Sequence, residues 1–154
     1  MDIKRKERLE LLKKKNKEVQ AKKKVEENIL LNECITALAS NANILKKEEA
    51  EKIYKIFKEK IPFLPWGVDW KQFKSFQTIE SFKKINEICV NKDFYIIWDV
   101  TLPIIKSDLL SIIRCIDDIS VVEPDTWLFS LNYNEVVEVY HEGKITVGII
   151  CEEY

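Results

Sequence analysis

The chain has 154 residues, 46% of them hydrophobic and 33% charged, with a formal net charge of −1. That length suits one domain, and such a chain buries roughly 68–70% of the surface its unfolded form exposes, enough for an ordinary core without staples. The longest apolar runs, 94–98 and 145–151, fall far short of the ~20 residues that a membrane-spanning helix requires, and no apolar signal-peptide core follows the basic N-terminus. The sequence therefore predicts a cytoplasmic protein with no membrane partner.

The net charge hides a gradient. Residues 1–30 carry eleven Lys and Arg against six Asp and Glu, and residues 31–116 carry thirteen against eleven. Residues 117–154 carry one base, Lys144, against nine acids. A basic head and an acidic tail half point to two different kinds of partner.

In chain order, residues 2–40 lack Gly and Pro and have helix-forming composition. Apolar residues are sparse before Lys24, so residues 1–24 read as a basic helical arm, frayed or projecting, ahead of a single α+β domain over 25–154. From Val25 the apolar stripe Ile29, Leu31, Cys34, Ile35 and Leu38 has the spacing of a buried helix face. Glu48–Lys60 is a second amphipathic helix, ended before Pro62. The stretch Ile61–Trp70 holds two prolines and Gly67 among large rings, and reads as an irregular cover over an edge of the core. Ile79–Val90 reads as a third helix.

The period then changes. Phe94–Trp98 is a short, nearly all-apolar run suited to a central strand. Ser107-Asp108 supplies a cap for a helix over Leu109–Ile116. Four β-like runs follow: Ile119–Val122, Thr126–Leu131, Val136–Tyr140 and Ile145–Ile150. The last two are joined by His141-Glu-Gly-Lys144, where Gly143 supplies a left-handed turn position, and Asn132-Tyr-Asn134 offers a second turn. The fold class is thus α+β, with N-terminal helices packed on a C-terminal, mainly antiparallel β-sheet.

Catalytic machinery is scarce. The four cysteines, Cys34, Cys89, Cys115 and Cys151, form no CxxC pair and read as reduced core residues. His141 is the single histidine and lies in the hairpin turn, which rules out multi-histidine metal sites and leaves a nucleophile scheme dependent on one exposed ring. Three glycines and no phosphate-loop motif argue against nucleotide use. No cofactor or metal is expected. Asp99, ending an apolar strand beside Trp98, is the one carboxylate suggestive of an acid/base role; its simpler reading is a strand terminus accepting backbone N–H groups in the Val100–Pro103 turn.

Binding features are more numerous. Trp66 and Trp70 in the irregular segment suit aromatic anchors, whereas Trp98 and Trp127 suit core packing. In the acidic sheet, alternation turns Val137 and Val139 inward and Glu138 and Tyr140 outward. With Glu123, Asp125, Glu135 and Glu142 from the strand ends, these make a negative patch fit for a basic protein partner. The lysine clusters at 13–15 and 22–24 suit phosphate contacts, and hence an alternative nucleic-acid-associated or regulatory role for the arm. No aromatic residue lies in 1–53, so base stacking from the arm is not available.

Phe94-Tyr-Ile-Ile-Trp-Asp-Val-Thr-Leu-Pro-Ile-Ile-Lys106, Asp125-Thr-Trp-Leu-Phe-Ser130 and Val136-Val-Glu-Val-Tyr-His-Glu-Gly-Lys-Ile-Thr-Val-Gly148 together resemble small bacterial immunity proteins, which neutralise polymorphic or contact-dependent growth inhibition toxins. The resemblance spans about residues 94–150 and carries no active-site residues with it. It implies a non-enzymatic cytoplasmic protein that binds a cognate toxin domain tightly and blocks its active site or a required contact.

Overall fold

In a computed structural model the described residues are 7–10 and 29–150. The basic arm predicted over 1–24 lies outside them except for 7–10, which are helical and exposed, and Cys151 lies outside them as well.

A seven-stranded sheet in the order β1-β6-β5-β7-β8-β9-β4 organises the chain, with antiparallel pairing at every junction. Its strands are β1 (Asn43–Ile44), β4 (Ser75–Ile79), β5 (Asp93–Ile97), β6 (Ile105–Asp108), β7 (Thr126–Ser130), β8 (Glu135–Val139) and β9 (Ile145–Ile149). A separate two-stranded hairpin, β2 (Phe63–Leu64) and β3 (Gly67–Val68), lies within the segment predicted as irregular. Helices are α1 (29–38), α2 (Lys47–Lys60), α3 (Ile85–Ile88), α4 (Leu109–Arg114) and α5 (Ile116–Ser120). Helices on the N-terminal side and a mainly antiparallel sheet towards the C-terminus make this an α+β protein, as predicted.

Both faces of the sheet are covered. On one, Leu31, Cys34 and Leu38 of α1, Ile85 of α3, Leu109 and Ile112 of α4 and Ile119 of α5 pack on Phe94, Ile96, Leu128 and Val137. On the other, Ile53 and Phe57 of α2, with Ile61 and Val68, pack on Tyr95, Ile97, Phe129 and Val136. The second face is aromatic: Phe57 makes edge contacts with Phe63 at 5.5 Å and with Phe129 at 5.3 Å. Helix α2 carries Glu48 and Glu49 in its first turn and Lys58 and Lys60 in its last, which complements the helix dipole at both ends.

Two expected elements differ, and a third forms as expected but carries a second role as well. Ile119–Val122 is not a strand. Ile112, Cys115 and Ile119 are buried at helical spacing, and Asp117 and Asp118 sit in the first turn of α5, where negative charge favours a helix start. The helix expected over Ile79–Val90 shrinks to Ile85–Ile88, because Ile79 pairs with Ile145 as the end of β4 and Ser81 caps a short 3-10 turn by accepting the Lys83 N–H. The cap Ser107-Asp108 does begin α4, with Asp108 accepting the Ser111 N–H at 3.0 Å, but the same residues also end strand β6.

The His141–Lys144 hairpin forms as expected, and so does the turn at Asn132-Tyr-Asn134 between β7 and β8. Gly143 adopts φ +86° between β8 and β9, a left-handed value that costs glycine little. In the second turn the Ser130 hydroxyl accepts the N–H groups of Asn134 and Glu135.

Candidate partner-binding surface

Strand register brings one set of loops to a single end of the sheet. Ile97 faces Trp127, Thr126 faces Val139, Val139 faces Ile145, and Ile145 faces Ile79. The 99–104 loop, the 121–125 turn, the 140–144 turn and Glu80 therefore lie along one rim.

On that rim Asp125 is half-buried and organises the turn beside it. Its Oδ1 accepts the His141 N–H at 2.9 Å and lies 3.1 Å from His141 Nδ1. The Tyr140 ring packs tilted against the His141 ring, with centroids 3.9 Å apart. Partial desolvation, followed by the charges of Glu142, Asp125 and Glu138, raises the Tyr140 hydroxyl above its ordinary pKa. Glu142 is exposed and Glu123 is half-buried in the preceding turn. The rim thus presents carboxylates around an aromatic pair.

Glu135 and Glu138 behave differently, and they correct the expectation of one solvated acidic face. Glu138 is 6% exposed and Glu135 is 3% exposed. Alternation does send Glu138 to the face opposite Val137, but α2 and the β2–β3 hairpin cover that face. There its Oε2 accepts the Val68 N–H and the Trp127 Nε1–H, each at 3.0 Å. Glu135 accepts the Val90 N–H at 3.0 Å, the Asn91 N–H at 2.8 Å and the Asn91 side-chain amide. Glu138 thereby satisfies a backbone donor and an indole donor in a covered position, whereas the donors to Glu135 lie in a part-buried turn. Beside Glu135, burial first and then its charge push the Cys89 thiol up, away from the reactive thiolate.

The two loop tryptophans also part company. Trp66, at the tip of the β2–β3 hairpin, is 66% exposed. The Glu138–Val68 bond holds that hairpin on the sheet, so a buried carboxylate positions the exposed ring. Trp70 is half-buried, 4.7 Å from Phe73 between ring centroids. Gly148 makes this possible: a Cβ there would stand 2.4 Å from Trp70 Cζ3. Trp127 packs on Phe63 at 5.6 Å, and Trp98 donates its Nε1–H to the Ile119 carbonyl at 3.1 Å, so both serve the core as expected.

Asp99 sits at the same rim and lines a groove of about 340 Å³ with Leu45, Ala50, Tyr54, Leu102 and Pro103. Its Oδ1 accepts the Thr101 N–H at 3.0 Å, the turn-closing role anticipated from the sequence. Burial and then Asp99 raise the Tyr54 hydroxyl. Among the described residues no cluster of His, Cys, Asp and Glu is arranged to hold a metal, and no helix is long and apolar enough to cross a membrane.

Sequence reasoning missed the two glutamate clamps. A signal was present: Val136-Val137, Leu128-Phe129 and Phe94–Ile97 are consecutive apolar residues, which mark strands covered on both faces. A glutamate inside such a strand is enclosed whichever way it points.

No curated protein matches this chain. Residues 28–148 match the family described as CdiI immunity protein EcoliA0-like. That match takes in all of the sheet but the last residue of β9, both helical layers, both glutamate clamps and the acidic rim, and the chain belongs to this immunity protein family.

Proposed function

We propose that this chain neutralises a cognate toxin domain by binding it and occluding its active site or a contact it needs, without catalysis, in the cytoplasm. The observation that carries the reading is the family match over 28–148. The rim formed by Asp125, Tyr140 and Glu142, with Glu123 beside it and Trp66 on the clamped hairpin, is the surface proposed for the contact. Its carboxylates suit a toxin with a basic surface, because complementary charge speeds encounter and fixes orientation. Trp66 supplies the apolar anchor: an exposed indole on a fixed support loses little side-chain freedom on binding, and Trp is enriched among residues that dominate interface energy. Glu135, Glu138 and Trp70 support that surface from inside rather than touching the toxin.

The test begins by finding a candidate toxin domain in the genes flanking this chain's gene and uses that domain as the probe. Co-expression should rescue growth, and calorimetry of the two purified proteins should give a stable complex. Absence of both sinks the neutralisation reading. Trp66→Ala should weaken the complex by about 30-fold or more, as expected for a central anchor, while the thermal midpoint of the free protein stays put. An unchanged affinity would move the contact away from the hairpin and leave the neutralisation reading standing.

A further inference from the structure

The sheet has two edges of unequal character. β1 forms one edge and is only two residues long, Asn43–Ile44. β4 forms the other: five residues, Ser75–Ile79, hydrogen-bonded to β9 on one side only. Ser75, Phe76, Gln77 and Thr78 are all exposed, and the strand contains no charged residue and no proline. Folded proteins normally blunt a long edge with inward charges, prolines or bulges, because its unpaired N–H and C=O groups template further strands. Among the described residues nothing pairs with this edge, and no charge or proline within the strand blunts it.

Charge flanks this strand with opposite signs. Lys74 precedes it and Glu80 follows it, both exposed and neither with an ion-pair partner among the described residues. An antiparallel strand centred opposite Gln77 would meet Lys74 with whatever stands at its own position 80, and Glu80 with its position 74. A second β4 satisfies that requirement: Lys74 then faces Glu80 of the other copy, twice. The same register sets Phe76 against Thr78 twice and Gln77 against Gln77. Even-numbered residues share one sheet face, so the Lys74–Glu80 and Phe76–Thr78 pairs lie side by side, with the Gln77 pair on the opposite face. Shifting the two-fold centre by one residue either way opposes Lys74 to Thr78 or to Phe82, and the charge match is lost. Phe76 adds apolar area. It is 51% exposed, and its ring stands 6.0 Å from Trp70, so it extends the aromatic cluster to the open edge, where a Thr methyl would pack on it.

We propose that a second copy of this chain pairs with the free edge of β4, in an antiparallel two-fold register centred on Gln77, continuing the sheet across the dimer. The contact is isologous, as two-fold symmetry requires. A short ladder with two ion pairs and one aromatic contact per strand makes a small interface, so the dimer dissociates on dilution through the micromolar range. Glu80 lies at the end of the rim, but the surface proposed for toxin contact is built on Asp125, Tyr140, Glu142 and Trp66, so this pairing does not depend on that reading.

Sedimentation velocity of the full chain from low to high micromolar should show a monomer–dimer equilibrium. Lys74→Glu alone, or Glu80→Lys alone, places two like-charge pairs across the interface and should weaken dimerisation by roughly 10- to 30-fold. The double reversal K74E/E80K restores both pairs and should return to within about threefold of the unmodified chain. Both positions are exposed, and unchanged circular dichroism would show that the variants fold. Hydrogen exchange at the β4 amides should slow as concentration rises. A monomer at every concentration overturns the proposal, as does a dimer indifferent to both single reversals. A monomer whose β4 amides gain protection only when the toxin domain is added also overturns it, and assigns the edge to the toxin.

Discussion

Two pairs of carboxylates from the same acidic stretch behave in opposite ways. Glu135 and Glu138 belong to β8 and are enclosed between layers, each accepting two or more hydrogen bonds from N–H donors. Asp125 and Glu142 belong to turns at the sheet rim, where Asp125 orders the His141 turn and Glu142 stands in solvent. Residue type and sequence neighbourhood are alike, yet one pair helps build the fold and the other shapes the surface. Strand alternation decides which face a glutamate takes, and the presence of a covering layer decides whether that face is wet.

Substitution should separate the pairs sharply, with the largest effect at Glu138. Glu138→Ala strands the Val68 N–H and the Trp127 Nε1–H in a covered position and releases the β2–β3 hairpin from the sheet. One buried and one part-buried donor left without an acceptor cost about 3 kcal/mol together, read as a loss of unfolding free energy in urea. A cost below 1 kcal/mol would mean that the clamp does not hold the hairpin. Trp127 fluorescence should change in the same variant, because its indole loses its acceptor.

Glu135→Ala should come next, at about 2–3 kcal/mol. The carboxylate is as buried as that of Glu138, but its donors at Val90 and Asn91 lie in a partly open turn, where water can replace the lost acceptor. Amide exchange at Val90 and Asn91 should accelerate more than exchange in the centre of β8. Equal acceleration throughout the sheet would assign Glu135 a global role instead of a local one.

The sequence makes some of this legible and hides the rest for physical reasons. Helix α2 is readable because its apolar stripe is buried on one side and Pro62 follows its end. The β8–β9 hairpin is readable because Gly143 punctuates two β-branched runs. β4 is not, since four of its five residues are exposed and leave no alternation to detect. The stretch 119–122 misleads because a short apolar run fits either period, and only the packing of Ile112, Cys115 and Ile119 on the sheet decides for a helix. Of the acidic site, Asp125 and Glu142 are placed by the turns that carry them. The burial of Glu135 and Glu138 depends on α2 and the 61–73 segment, which are remote in sequence and whose packing no local pattern announces.

The smallest expected effect on folding is at Glu142, and it sharpens the comparison most. An exposed turn carboxylate with no hydrogen bond or ion pair among the described residues should change stability by less than about 0.5 kcal/mol when replaced by Gln. Two other readouts should move. Association with the toxin domain should slow and lose part of its salt dependence, because a rim charge acts mainly on encounter. The Tyr140 hydroxyl should also titrate nearer its ordinary range, since the Glu142 charge is the largest electrostatic contribution to its raised pKa after desolvation. A raised value favours the neutral phenol in the folded chain. Its contribution to stability is present below the ordinary tyrosine pKa and is lost as pH climbs through the folded value, so Glu142→Gln narrows that alkaline window. NMR titration of the Tyr140 ring in both proteins reads the change directly. An unmoved Tyr140 together with an unmoved association rate would place Glu142 outside the working surface and leave Asp125 and Trp66 to carry it.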